Sequence, residues 1–138
     1  IVTPGLRLAF LDRERIALSG KTIMGETANR EVWVCGPGAY TVLKALAFEN
    51  RGENKDAYDL YFVLRNYGTG VGDVVTRLRP LREETETKKA VAILKRDFLE
   101  NNGLGPRRVS EFLTGSGNDE IQADVVGFVR MLLKELGQ

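Results

Sequence analysis

Lys44, Arg51, Lys55, Asp56 and Asp59 lie close together in the chain, and no other stretch sets so many charges beside an apolar stripe. Ala39, Val42, Leu43, Leu46 and Ala47 recur at the three-and-four spacing of a buried helix face, while Tyr40, Lys44, Phe48 and Arg51 follow on an adjacent line. Lys44 and Arg51 therefore project together. A second helical pattern starts near Asp56 and continues through Leu60, Val63, Leu64 and Tyr67, with Asp56 and Asp59 three apart on one flank. Two cations thus face two carboxylates across a short turn. Such a set can hold a polyanion: Lys44 and Arg51 grip phosphate oxygens, while one aspartate orients the basic groups or takes a proton from an incoming hydroxyl. The same spacing equally suits an ion-pair lattice between two helices, since charged pairs at helical spacing are ordinary and contribute little. Spacing leaves both readings open.

Helices must position these groups, and from Gly38 onward the pattern is helical throughout. Val74, Val75 and Leu78 mark a third helix that stops before Pro80. Ala90, Ile93, Leu94 and Phe98 mark a fourth that ends by Gly103, and Pro106 takes a first-turn position ahead of Val109, Phe112 and Leu113. Ile121, Val125, Phe128, Val129, Leu132 and Leu136 form the strongest amphipathic stripe of the chain. The first third reads differently. Leu6, Leu8 and Phe10 alternate with Arg7 and Ala9, Asp12-Arg13-Glu14 reads as a turn, and Ile16 and Leu18 complete a hairpin; Ile23-Met24 and Val32 to Val34 suggest two further short strands. Strands first and helices afterwards predict an α+β fold. It would consist of short N-terminal antiparallel strands over residues 1–35, packed on a C-terminal bundle of five to six helices over residues 36–138, in one domain.

Composition narrows the chemistry. At 138 residues, 43% of them hydrophobic and 28% charged, the chain is long enough to bury a core without disulfides or metal. A formal net charge of +1 provides no overall drive towards nucleic acid, so any such binding rests on local clusters such as Arg77, Arg79 and Arg82, or Arg107 and Arg108. Cys35 is the single cysteine and no histidine occurs. That excludes an intramolecular disulfide, cysteine–histidine and serine–histidine catalytic pairs, and a zinc site of the usual Cys/His kind. No apolar run reaches the length of a membrane span and no signal peptide is evident, so no membrane partner is expected and a cytoplasmic location is the default.

In order and spacing, Lys44, Ala47, Arg51, Lys55, Asp56, Asp59 and Leu60 resemble the third and fourth motifs of the nucleotidyltransferases typified by the AbiEii and AbiGii toxins, within the DNA polymerase β-like superfamily. In those motifs a Lys-x-x-Ala-x-x-x-Arg helix is followed at once by Lys/Arg-Asp-x-x-Asp-Leu. A looser likeness extends over the Val32-Trp33-Val34-Cys35 strand, the Gly36-Pro37 break and the closing helix. The resemblance implies transfer of a nucleoside monophosphate from a nucleoside triphosphate to an acceptor such as the 3′ end of a tRNA, with Mg²⁺, and a cognate antitoxin as partner. It also implies that Lys44, Arg51 and Lys55 bind the nucleotide's phosphates. Asp56 and Asp59 would be the catalytic carboxylates, acting late as base or as orienters of the lysine.

The departures from that family are as informative as the match. Members carry, upstream of these helices, a Gly-Gly or Gly-Ser turn and an Asp-x-Asp strand that binds Mg²⁺. This chain has no Asp-x-Asp, and Gly115-Ser116-Gly117 lies downstream, where Asn118 instead suits the N-cap of the last helix. The chain opens on Ile1 rather than Met. The expectation is therefore the C-terminal part of a larger nucleotidyltransferase, binding no metal and transferring no nucleotide by itself. The competing class is a non-catalytic helical binding or interaction domain. Two other motifs do not hold up: Ser19-Gly20-Lys21-Thr22 has Arg15 where a phosphate-binding loop needs glycine, and Gly68-Thr69-Gly70-Val71-Gly72 follows a helix instead of a strand.

Overall fold

The computed structural model describes residues 3–138. A short helix α1 (Leu8–Leu11) leads into strands β1 (Arg13–Lys21) and β2 (Thr27–Cys35), and six helices follow: α2 (Pro37–Arg51), α3 (Asn54–Asn66), α4 (Val71–Leu78), α5 (Thr85–Asp97), α6 (Leu104–Thr114) and α7 (Asp119–Leu136). The fold is α+β, with two antiparallel N-terminal strands ahead of a helical bundle.

The strands form a single ribbon, in register from Arg13 opposite Cys35 to Lys21 opposite Thr27. Three details of the sequence reading change here. Arg13 and Glu14 open β1 instead of forming a turn with Asp12, so Ile16 and Leu18 pair with Val32 and Arg30 of β2 and not with the segment before them. Leu6, Leu8 and Phe10 do not form a strand: Leu8 is fully buried in the helical turn α1 while Phe10 is exposed, because a chain turning every three to four residues sends the two to different sides. Ile23 and Met24 are not a strand either. They sit in the turn joining β1 to β2, closed by Thr22 N–H donating to Glu26 O at 2.9 Å, with Gly25 at φ +82° taking the left-handed position that glycine favours. Beyond its foot, the ribbon's side chains are largely exposed.

Helices α2 and α3 form the antiparallel hairpin on which the candidate residues lie. Arg51 ends α2, Gly52 terminates it in the left-handed conformation at φ +64°, and its N–H returns to Phe48 O at 2.8 Å. With Glu53 as the N-cap of α3, only two residues separate the helices, so the end of α2 is held against the start of α3. Their shared face supplies Ala45, Phe48, Ala57, Leu60 and Leu64 to one core, where Phe48 meets Phe98 edge-on at 5.2 Å. Gly38 explains how closely α2 approaches α4: a Cβ there would lie 2.7 Å from the Arg77 carbonyl group. Pro80 falls in a 3₁₀ turn (Arg79–Leu81) directly after α4, and Pro106 in the first turn of α6, both as the sequence predicts. Asn118 caps α7, its Oδ1 accepting from Ile121 N–H at 3.0 Å. None of the described helices is long and apolar enough to cross a membrane.

Candidate functional site

Lys44, Arg51, Lys55, Asp56 and Asp59 come together at the closed end of the α2–α3 hairpin. Lys44 Nζ lies 3.2 Å from Asp56 Oδ1 and 2.7 Å from Asp59 Oδ2. Arg51 holds Asp56 from the far side through Nε at 3.1 Å and Nη2 at 2.7 and 2.8 Å. Lys55 Nζ reaches both oxygens of Asp59, at 2.9 and 2.7 Å, across one turn of α3. The side chains are graded from inside to outside: Asp56 is 2% exposed, Asp59 11% and Lys44 20%, while Arg51 and Lys55 are 59% and 66% exposed. Two sunken carboxylates thus hold one half-sunken lysine, and two cations with largely exposed side chains flank them.

The electrostatics follow from this arrangement. Burial works against the charge on Lys44, yet the hydrogen bonds to Asp59 and Asp56 outweigh it and leave the lysine above its ordinary pKa. Burial would likewise raise Asp59, but Lys44 and Lys55 more than offset it and hold the carboxyl below the usual range. At neutral pH both therefore stay charged, and Asp59 is a weaker base than a free aspartate. Tyr40 packs beside the lysine, its ring centre 5.5 Å from Nζ.

Mg²⁺ does not fit this cluster. A magnesium site needs carboxylate oxygens free to face the ion in an octahedral shell, whereas both oxygens of Asp56 and of Asp59 already receive ammonium or guanidinium groups. Among the described residues, no group of three or more His, Cys, Asp or Glu side chains is placed to hold a metal ion.

Of the other basic candidates, Arg77, Arg79, Arg82 and Arg108 pair with groups of the chain itself, and Arg79 and Arg82 share the lining of one pocket. Arg77 turns back to the foot of the ribbon, donating to Asp12 Oδ1 through Nε at 2.7 Å and to Glu14 Oε1 through Nη1 at 2.6 Å. Arg79 donates to the Glu135 carbonyl at 3.1 Å, and Arg82 lies 3.4 Å from Glu83. Arg108 pairs with Glu111 at 3.2 Å.

The sequence reading missed the network at the ribbon's foot. Buried Asp12 caps α2 from outside the helix, its Oδ2 accepting Ala39 N–H at 2.9 Å, while its other oxygen holds Arg77. Glu14 accepts from the Tyr67 hydroxyl as well as from Arg77, so β1, the residue that ends α3, and α4 are joined at one point. The hydrogen bond to Glu14 is the main reason the Tyr67 phenol titrates above its ordinary value. Asp12 and Arg77 are 65 positions apart. No local spacing links them, and a lone aspartate after an apolar run reads as a turn residue. Beside the network, a cavity of about 470 Å³ opens between the ribbon and the α2–α3 hairpin, lined by Glu14, Val34, Tyr40, Val63, Asn66 and Tyr67 among others. Lys44, Asp56 and Asp59 lie outside its lining, with Tyr40 between it and the lysine.

No family model, curated protein or solved structure matches the chain.

Proposed function

We propose that this chain is the C-terminal, triphosphate-contacting part of a nucleotidyltransferase of the AbiEii/AbiGii toxin kind. The observation that carries the reading is the meeting of Lys44 with Asp56 and Asp59 at 3.2 and 2.7 Å, since these residues stand at the family's motif spacing and assemble around one lysine. Lys44 donates to triphosphate oxygens. Arg51 and Lys55, whose side chains are largely exposed, share the negative charge of the phosphates. Asp56 and Asp59 fix the ammonium group in place, which is the role their engaged oxygens allow. In the reaction, the acceptor hydroxyl oxygen bonds to the α-phosphorus, the bridge to the β-phosphate breaks and pyrophosphate leaves, while the hydroxyl proton passes to a base outside this cluster. Mg²⁺ in the complete protein would be held by residues beyond those described, because those described do not fit it. A tRNA 3′ end is the proposed acceptor, a cognate antitoxin the proposed protein partner, and the cytoplasm the proposed location.

One observation favours the alternative, a non-catalytic helical binding or interaction domain. Asp56 and Asp59 are so fully engaged by three cations that the cluster works equally well as a latch closing the α2–α3 hairpin. The deciding experiment incubates the complete product of the reading frame that encodes this chain with α-labelled nucleoside triphosphates and total tRNA. The reading expects label on tRNA and none with the Lys44→Ala variant. Absence of label with all four nucleotides, alongside an upstream sequence lacking Gly-Ser and Asp-x-Asp, would leave the binding domain as the function.

A further inference from the structure

We infer that the groove between α5 and α7 is a docking surface for an acidic, amphipathic segment of a protein partner. The inference does not depend on the triphosphate reading, since none of Lys44, Arg51, Lys55, Asp56 and Asp59 lines this groove. Helix α5 packs on α2, whereas α7 packs on α4 and α6, and two hollows lie between α5 and α7. The smaller, of about 270 Å³, is lined by Lys88 and Val91 of α5 and by Leu136 at the end of α7. The larger, of about 500 Å³, is lined by Lys95 of α5, Leu99 just beyond it, and Arg130, Leu133 and Lys134 of α7. Gln138 lines both, and Lys95 follows Lys88 by about 10 Å of helix axis, so the hollows form one groove between two helices of opposite direction.

The rim is basic. Arg82 and Lys88 line the first hollow and Lys95, Arg130 and Lys134 the second, all of them exposed residues. The one carboxylate side chain in either lining is Glu83, which Arg82 and Lys88 share at 3.4 and 3.0 Å. Nearby carboxylates are engaged elsewhere: Asp97 pairs with Arg96 at 2.7 Å, and Glu135 Oε2 lies against Gly72 of α4. This concentration stands in a chain whose formal net charge is +1. Helix dipoles account for part of it, because Lys95 and Lys134 fall in last turns, where cations are favoured. They do not account for Lys88, four residues into α5, or for Arg130 inside α7.

The charge calls for carboxylates on the occupant, and the floor decides its shape. Val91 and Leu99 are partly buried, with Leu133 and Leu136 of the core beside them. An apolar floor between cationic rims matches a helix that carries leucine-like residues at three-and-four spacing with Asp or Glu on its flanks. A nucleic-acid backbone would meet the cations but gain nothing from that floor, and neither lining has an aromatic ring on which a base could stack.

The experiment measures fluorescence anisotropy of three labelled probes with this chain: a helical peptide with leucines at that spacing flanked by glutamates, its twin with glutamine for each leucine, and a single-stranded RNA of equal charge. The leucine peptide should bind about tenfold more tightly than its twin, and more weakly as salt is raised. Its backbone amide NMR shifts should fall on Val91, Lys95, Leu99, Arg130 and Lys134. Lys95→Gln with Lys134→Gln should weaken it about tenfold and leave the melt cooperative. Lys95→Glu with Lys134→Glu should transfer the preference to a peptide with lysine flanks; should that protein fail to fold, the glutamine pair carries the test. Equal binding of the two acidic peptides, or undiminished binding to the glutamine pair, would overturn the proposal. Tighter binding of the RNA at the same residues would give the groove to nucleic acid, and self-association of the chain that the glutamine pair abolishes would give it to a second copy; either result overturns the acidic segment.

Discussion

Asp56→Ala is the substitution that should most sharply register how the cluster is built. Asp56 is 2% exposed and accepts from Lys44 on one side and from Arg51, through two nitrogens, on the other. Removing one member of a buried ion pair typically costs about 3 to 5 kcal/mol, because the partner's charge is left without compensation. Here the cost falls near the lower end. Lys44 keeps Asp59 at 2.7 Å, and the 59% exposed Arg51 can turn to water. Loss of an acidic group from the first turn of α3 adds about 0.5 kcal/mol through the helix dipole. The sum is about 3.5 kcal/mol. For a domain of this length it lowers the melting temperature by about 12 °C. Differential scanning calorimetry at pH 7 measures it, with Asp59→Ala as comparison: that change leaves the Asp56 contacts intact and should shift the melt by less than half as much. An Asp56→Ala protein melting within about 2 °C of the parent would refute the claim that the buried carboxylate, rather than the apolar face alone, holds α2 against α3.

Other consequences are separate. Acid should destabilise the domain through Asp59: its carboxyl is held below the ordinary value in the folded state, so its contribution is present above the unfolded pKa of about 4 and is lost as pH falls through the folded one. Urea titrations between pH 6 and pH 2 should show this loss, and Asp59→Asn should flatten it. Lys44 works in the opposite direction, its raised pKa adding stability that is full below about pH 10 and fades in stronger alkali. Asn118→Ala removes the acceptor for Ile121 N–H and should cost about 1 kcal/mol in chemical denaturation, without effect on phosphate binding. Gly38→Ala should cost more than that in the same assay, because its Cβ would meet the Arg77 backbone at 2.7 Å and backbone yields little.

What could be read in the chain was what depends on neighbours in sequence. The α2–α3 cluster is local: Lys44 and Asp59 are fifteen positions apart, joined by a two-residue link, and helical periodicity alone places them face to face. The long stripe of α7 and its Asn118 cap were legible for the same reason. The N-terminal third was harder. Leu6, Leu8 and Phe10 satisfy strand alternation as well as a single helical turn, and Leu8 is buried only because the bundle is there to receive it. Ile23 and Met24 look like strand residues by type, yet Thr22 and Gly25 decide the turn around them. Arg77 illustrates the general limit: its partners Asp12 and Glu14 lie 65 and 63 positions earlier, so nothing within reach along the sequence distinguishes it from a solvated surface arginine.

The central claim is that the charges around Lys44 perform chemistry and do not merely tie two helices together. The measurement that tests it most directly is the transfer rate per folded molecule in the complete protein, for Lys44→Ala and Leu60→Ala side by side. Leu60 is fully buried, so its truncation should cost about 2 to 5 kcal/mol of stability and leave the surviving folded molecules turning over at the parent rate. Lys44→Ala should leave a cooperative melt, since Arg51 still holds Asp56 and Lys55 still holds Asp59, and should abolish transfer. If Lys44→Ala melts the domain as severely as Leu60→Ala while its folded fraction keeps the parent rate, the cluster is a structural latch and the nucleotidyltransferase reading of these residues is wrong.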